Sequence, residues 1–438
     1  MGAIAYFCPR VNLLKLYGPV LAEQMRRGGP GALLIVPLTP LITYAAKNRS
    51  LAAALRLQQI RAEIPGGVEI ACVPSTAAFR ETLRERRVQA VVGVGLRLPR
   101  AIRDEVLVPS RAQGVKWCSL GYLHEELAHV LWDGPEILDD WDLPTTFSQA
   151  GVDRLRERLT AHGVPDPDRV TRLRPVGSVE CDQVADFDRD ALRKKYGLPA
   201  DRPVICFATA PPFESFKAHH AMRWLFFQPW QRGDTMARVA ARRWRRGFPE
   251  MDRLTGYADV MAAVRRFADR HRAVLVAKTR DKHDDPRYVR RAADHLVSDG
   301  GYYPFRTLEL LHASDLYIGV YSSTAFEAAF LGRRCRTIAP FPSEVLEDPR
   351  FLELKRDFFF GASGEPGIWS APGFCDLTRT YVDAEWAAFE DWSAHGALDT
   401  RVDAAVKGLV VRRVLGFDDC KASRRFLDAL ETTLEGVV

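Results

Sequence analysis

The sequence predicts an α/β protein built from two doubly wound parallel sheets. Strand-length apolar runs alternate with helix-length amphipathic stretches along the 438 residues. The alternation stops and restarts around a turn-rich segment near residues 178–203. The length itself suits about two domains. With 47% apolar and 27% charged residues, the composition is that of a folded globular chain, which excludes disorder as the main state. Gly (31) and Pro (27) are ordinary, so collagen-like and low-complexity architectures are excluded too. No repeat has the period of a solenoid.

In the first half the predicted strands are Ala3–Phe7, Leu33–Val36, Val68–Val73, Ala90–Val94, Val115–Ser119 and Pro144–Ser148, with Arg174–Ser178 closing the set. Each is followed by a break and then a helical pattern. In Thr76–Arg87, for example, Phe79 and Leu83 share one face while Arg80, Glu81, Arg84 and Glu85 occupy the other. Strand–helix alternation implies right-handed crossovers between parallel strands. A charged helical stretch at Asp186–Tyr196 and the turn-rich Gly-Leu-Pro-Ala-Asp-Arg-Pro (197–203) then lead to a fresh strand, Val204–Thr209. Three more predicted strands follow: Ala273–Ala277, Leu316–Val320 and Arg336–Ala339. The helices of this half are Gly256–Arg270, Asp285–Val297, Arg306–Ala313, Ser323–Leu331 and a group after Ala384. The expected domains are 1–178 and 204–384, a linker at 179–203 and C-terminal helices at 385–438, the two Rossmann-like domains facing across a cleft.

The net charge of +6 fits a partner bearing phosphate or an acidic membrane face and is too small to argue for nucleic acid. The eight cysteines are scattered with no C-x-x-C pair, so no metal or disulfide framework is expected, and they read as reduced, mostly buried thiols of a cytoplasmic protein. MGAIAYFCPR has no secretory pattern, Tyr6 stands where a myristoylation signal needs Ser or Thr, and no apolar run is long enough to span a bilayer.

Ligands of open parallel sheets sit beyond the carboxyl ends of strands, where helix starts offer free N–H groups. After Leu316–Val320, the hydroxyls of Ser322, Ser323 and Thr324 open a helix that also carries Glu327, and Arg333 and Arg334 follow Gly332. This pattern suits a phosphate, and it equally suits an ordinary N-cap, with Glu327 closing a capping box. After Ala273–Ala277 come Lys278, Arg280, Lys282 and His283, a cation cluster fit for a pyrophosphate or simply a charged loop. After Val115–Ser119, His124 and Glu125 are the best acid/base pair of the first half, although His124 and His129 also suit a plain helix face. Thr209–Lys217 follows a strand without specific content. Gly93-Val-Gly95 has Leu98 where a dinucleotide fingerprint needs its third glycine, so a nicotinamide site is rejected there.

Residues 303–334, centred on Ser314-Asp-Leu-Tyr-Ile-Gly-Val-Tyr-Ser-Ser-Thr324, resemble the donor-binding signature of GT-B glycosyltransferases. The resemblance is nearest the branch of CDP-glycerol glycerophosphotransferases, bacterial sialyl- and Kdo-transferases and UDP-N-acetylglucosamine 2-epimerases. Residues 174–178 through 195–205 are similar to the interdomain connection of that group. The resemblance implies that Ser322, Ser323 and Thr324 hold the donor's phosphate, that Glu327 lies near its ribose or sugar, and that Lys278–His283 match the family's basic segment. The chain departs from the group in two ways. Lys278-Thr-Arg-Asp-Lys-His283 replaces a Lys-x-His-Pro run, and His124 precedes Glu125 rather than Gly.

Residues 216–248 interleave aromatic and basic side chains: Trp224, Phe227, Trp230, Arg242, Arg243, Trp244, Arg245 and Arg246. Such a segment suits an anionic lipid surface, a groove for an anionic glycan acceptor, or a small aromatic core of its own. The expected function is transfer of a sugar or polyol-phosphate from a nucleotide-activated donor to a cell-surface polysaccharide or lipid-linked acceptor. No cofactor or metal is required, and the setting is cytoplasmic, peripheral on the inner face of the membrane. A UDP-N-acetylglucosamine 2-epimerase-like isomerase and a non-catalytic nucleotide-sugar sensor are the competing readings.

Overall fold

The computed structural model describes residues 2–9, 13–37, 60–61, 64–122, 125–209, 257–279, 287–297, 306–320, 322, 324–339, 367–369, 371–380 and 382–436. The first sheet has seven parallel strands in the order β3-β2-β1-β4-β5-β6-β7. They are β1 Ala3–Phe7, β2 Ala32–Pro37, β3 Glu69–Val73, β4 Val88–Val94, β5 Lys116–Leu120, β6 Leu143–Thr146 and β7 Arg174–Pro175. Central β1 and β2 read as unbroken apolar runs because helices cover both faces of a parallel sheet. Helix α1 (Leu14–Arg27) returns the chain from β1 and is fastened twice. The Tyr6 hydroxyl donates to Gln24, and the Tyr17 hydroxyl donates to the Phe7 carbonyl at 2.7 Å. Helix α2 (Thr76–Glu85) starts where Ser75 accepts the Ala78 N–H and buries the expected Phe79 and Leu83. The last strand is shorter than the expected 174–178: pairing with β6 covers only Arg174 and Pro175, and Gly177 turns the chain away with φ 91°.

The second sheet has six parallel strands in the order β10-β9-β8-β11-β12-β13. They are β8 Val204–Ala208, β9 Val274–Lys278, β10 His295–Val297, β11 Leu316–Val320, β12 Arg334–Ala339 and β13 Cys375–Arg379. Two of these strands differ from expectation. The helix expected over 285–297 ends at Ala292, because the Asp294 carboxylate accepts both the Leu275 N–H and Arg265 at 2.8 Å and starts β10 beside β9. Strand β13 lacks the apolar run of a central strand. It lies at the sheet edge, and Asp376 pairs there with Arg334 and Arg336 of β12.

Strand alternation divides this sheet cleanly. Ile205, Phe207, Leu275, Ala277, Leu316, Ile318 and Ile338 point into one apolar cluster with Val264 and Phe267. The opposite face therefore presents Cys206, Ala208, Val276, Lys278, Tyr317, Gly319, Cys335 and Thr337. Six of the eight free cysteines are buried, as expected of reduced thiols; Cys72 is exposed and Cys420 half-buried.

The chain divides into two compact units, chiefly Met1–Asp186 with Gly408–Val438, and Phe187–Gly301 with Arg306–Lys407. The first boundary falls inside the expected linker. The C-terminal helices, expected as one group at 385–438, are split between the units. Asp383–His395 belongs to the second unit, where Trp392 stacks on Phe267 with ring centroids 4.0 Å apart. Ala422–Glu435 belongs to the first, where Asp182 accepts its Ala422 and Ser423 N–H groups at 2.9 and 2.6 Å and Phe426 and Leu430 join the core around α1. Among the described residues, no helix is long and apolar enough to cross a membrane.

The second unit opens with helix α3 (Arg189–Lys195), whose Asp188 caps Ala191. From it, the buried Arg193 donates to the carbonyls of Ala313, Pro199 and Ala200 at 3.0–3.1 Å and to Asp315 at 2.7 Å. Asp315 also takes the Val204 N–H at 2.8 Å and pairs with Arg189. Replacing Arg193 by Met takes one of its two arginines from the Asp315 carboxylate and strands the carbonyls of Ala313, Pro199 and Ala200, so it is expected to destabilise the second unit by about 3 kcal/mol. A lowered urea midpoint measures this, and an unmoved midpoint contradicts it.

Candidate functional site

In the second unit, the central strands β9, β8 and β11 bring chemistry-bearing residues to one carboxyl edge. Lys278 closes β9 and is only 4% exposed. Its ammonium donates to the Thr279 carbonyl at 3.1 Å, and it lies near enough to Cys206 to oppose, weakly, the upward push of burial on that thiol, which stands at about 12. Thr209, just past β8, takes part in the same edge: its N–H and its hydroxyl both donate to the Lys278 carbonyl. Thr279 is fully buried, and its own hydroxyl has no hydrogen-bond partner among the described residues.

Beyond β11, helix α4 (Thr324–Phe330) carries Glu327 in its first turn. Ser322, Thr324 and Glu327 are all buried. Ser322 Oγ takes the Thr324 N–H at 3.3 Å and lies 3.0 Å from Thr324 Oγ1. This i→i+2 bond is a serine turn just ahead of the helix. The Ser322 carbonyl accepts from Trp369 Nε1 at 3.2 Å, which fixes the turn from the far side. The sequence reading missed Trp369 and gave Thr209 and Thr279 no role of their own. Thr209 ended a predicted strand with no charge to mark it, and Trp369 reaches the site from a distant segment.

Tyr317 completes this cluster. It is buried on the same face as Lys278, and a Cβ built on Gly319 would overlap its hydroxyl, so the ring runs along β11 toward the carboxyl edge. Burial drives its phenol well above the ordinary value, and the negative charge of Glu327 adds to the push. Thr324 acts on it as a hydrogen-bonding neighbour without reaching the geometry of a formed bond.

The first unit has its own polar group at the carboxyl edge. Lys15, in the first turn of α1, lies 2.7 Å from Glu180, with both side chains 8% exposed. The Lys15 ammonium stands 5.6 Å from the centre of the Tyr122 ring, just past β5. A single lysine within Leu13-Leu-Lys-Leu-Tyr17, otherwise apolar and buried, was the available signal. Glu125 begins helix α5 (Glu125–Asp133). His124 lies outside the described residues, as do Arg280, Lys282, His283 and Ser323. The aromatic–basic residues Trp224, Phe227, Trp230, Arg242, Arg243, Trp244, Arg245 and Arg246 lie outside them too. Of the expected donor residues, the structure thus brings Lys278, Ser322, Thr324 and Glu327 to one edge of one sheet.

No protein-family model matches the chain, and no curated protein does. Solved structures do. The UDP-GlcNAc 2-epimerase from Neisseria meningitidis bound to UDP-GlcNAc matches with TM-score 0.55 at 10% identity, over 99% of this chain and 100% of that one. The wall teichoic acid polymerase TagF matches with TM-score 0.54 at 12% identity, over 99% and 90%. A putative UDP-N-acetylglucosamine 2-epimerase from Listeria monocytogenes gives 0.53 at 12%, over 100% and 97%. The chain has the GT-B fold. The expected pair of doubly wound parallel sheets is present, and the solved structures that share the fold bear names from the branch the sequence motif resembles.

Two measurements follow from the site. Gly319→Ala is expected to destabilise the wild-type chain by about 1–3 kcal/mol through overpacking against Tyr317. In a Tyr317→Leu background, where no hydroxyl reaches Gly319, most of that loss should vanish; equal losses in both backgrounds refute the contact. The second concerns His129 of α5, held near 4 by burial first and by Arg97 second. Since the folded state resists a proton that the unfolded chain takes up near pH 6.5, stability falls as pH drops from about 6.5 to about 4, by roughly 2–3 kcal/mol. His129→Gln should flatten that stretch of the pH–stability curve; an unchanged slope refutes the assignment.

Proposed function

We propose that the chain is a GT-B transferase that moves a sugar or polyol-phosphate from a nucleotide-activated donor to a cell-surface polysaccharide or lipid-linked acceptor. One observation carries the reading: a buried ammonium, Lys278, shares the carboxyl edge of three adjacent central strands with the Ser322–Thr324 turn and Glu327. That edge is where parallel sheets take nucleotides. A cation held in a poorly hydrated place stabilises a departing phosphate more strongly than one in water.

In this reading the second unit holds the donor, with Arg280, Lys282, His283 and Ser323 completing the phosphate contacts. The first unit holds the acceptor, and His124 or Glu125 takes the proton from its hydroxyl. The hydroxyl oxygen bonds to the transferred carbon or phosphorus, the bond to the nucleotide breaks, and the nucleotide leaves with the electron pair. Basic side chains neutralise that charge, so no metal or cofactor is assigned. The 216–248 segment is assigned to an anionic membrane surface or the acceptor glycan; on the first assignment the enzyme works at the cytoplasmic face of the membrane.

A second reading, a UDP-GlcNAc 2-epimerase-like isomerase, is favoured by the full-length likeness to the Neisseria meningitidis epimerase. It uses the same donor edge and needs no acceptor. Incubation with UDP-, CMP-, GDP- and CDP-linked donors separates the two: a transferred product requires acceptor, an epimer does not. A nucleotide that binds only the folded chain should raise its stability by about 2.7 kcal/mol at one hundred times its dissociation constant. Lys278→Met is expected to weaken that binding about tenfold or more, through loss of a charge-assisted contact. A chain that binds no nucleotide, or a variant that binds as well as wild type, overturns the reading.

A further inference from the structure

Three arginines of the second unit converge on four consecutive residues. The segment 312–315 joins the helix Arg306–Ala313 to β11. Arg333 donates to the His312 carbonyl at 2.8 Å, and Arg193 to the Ala313 carbonyl at 3.0 Å. Arg189 and Arg193 hold the Asp315 carboxylate between them. Arg333 and Arg334 are neighbours in the sequence, but the chain parts them. Arg334 opens β12 and pairs with Asp376, while Arg333 turns to residue 312. These contacts lie at the amino ends of β11 and β12, and Lys278 and Glu327 lie at the other edge of the sheet, about 15 Å away along a strand.

The charges at this edge do not balance. Three guanidiniums meet one shared carboxylate, and the other acids nearby are engaged: Asp188 caps Ala191, and Glu309 takes Lys195 and Tyr196. Arg193 uses its Nε and both Nη atoms on the protein. Arg189 and Arg333 do not. The Nε of each is shielded from water and has no hydrogen-bond partner among the described residues, and the same holds for His312 Nδ1. Folded proteins rarely leave such groups unpaired, and the cost is greatest where the group is charged. Burial pushes the Arg333 guanidinium down from its usual value, and Arg189 and Arg193 add to the push while Asp315 opposes it. The Phe187 ring stands edge-on to His312 with centroids 5.6 Å apart, an apolar wall beside which charges attract more strongly than in water.

We propose that Arg333, Arg189 and His312 form an oxyanion site at the amino edge of the second sheet, and that its ligand is a phosphate group. A phosphate presents several acceptor oxygens at once, takes two parallel N–H bonds from one guanidinium, and supplies the negative charge that Asp315 alone does not. A soluble phosphate ester and the headgroup of an anionic lipid offer this same group. The site stands apart from the donor edge and does not depend on the nucleotide reading.

The test uses the full-length chain in chloride buffers of matched ionic strength, with and without inorganic phosphate. Titration calorimetry reads affinity and thermal unfolding reads Tm. Phosphate should raise the Tm of the wild type and of Lys278→Met alike, which separates this site from the donor edge. Arg333→Gln should weaken phosphate binding about tenfold or more in both backgrounds. Its Tm in chloride should be unchanged or higher, because a crowded positive charge is gone. Arg333→Lys keeps the charge without the fork and should fall between. Arg189→Gln should lose the response as well, and it replaces Arg333→Gln if that variant does not fold. Sedimentation with phosphatidylglycerol vesicles, against phosphatidylcholine, identifies the source. Vesicle binding that needs Arg333 assigns a lipid headgroup, and a response to free phosphate alone assigns a soluble ester. No response to phosphate or to phosphatidylglycerol overturns the site, and so does a response that Arg333→Gln leaves intact. A lower Tm of Arg333→Gln in chloride makes the side chain structural and overturns it too. A response lost in Lys278→Met belongs to the donor edge and does the same. A chain that binds no nucleotide leaves this inference standing.

Discussion

The second unit depends on where Asp315 stands. Its carboxylate joins the amino ends of β8 and β11 through the Val204 N–H, while its own N–H returns a bond to the Val204 carbonyl at 2.8 Å. Arg193 holds the carboxylate from below and collects the loose carbonyls of the 199–200 turn. This clamp sets the register that puts Tyr317 opposite Cys206 and Gly319 opposite Ala208. A slip of one residue would exchange the faces of β11. Tyr317 would then point into the apolar cluster around Phe267, and Ile318 would face the polar edge.

The sequence disclosed those parts of the fold that apolar periodicity controls. β1 and β11 have the expected limits because each is a central strand, buried on both faces. The hidden parts obey other forces. β13 reads as Cys-Asp-Leu-Thr-Arg and is defined by an ion pair and an edge position, neither of which has a period. β10 was absorbed into a helical pattern because Asp294, whose backbone and side-chain bonds end that pattern, looks like any polar surface residue.

The candidate site divides along the same line. Lys278, Ser322, Thr324 and Glu327 were legible because each follows an apolar run, where a parallel sheet opens to ligands. Lys15 and Glu180 were not, since an ion pair between residues 15 and 180 exists only once the chain has folded. Tyr317 was hidden differently. It sits inside the strand and reads as core, and only the glycine two positions later reveals that its polar end has somewhere to go.

The path of the chain has a consequence for synthesis. The first unit needs Phe426 and Leu430 to cover α1, and Asp182 waits for the N–H groups of residues 422 and 423. Every residue of the second unit is translated before those arrive. The unit begun first is therefore completed second. While the ribosome is still adding the intervening stretch, the apolar side of α1 lacks its natural cover, and that interval is when a chaperone has most to protect.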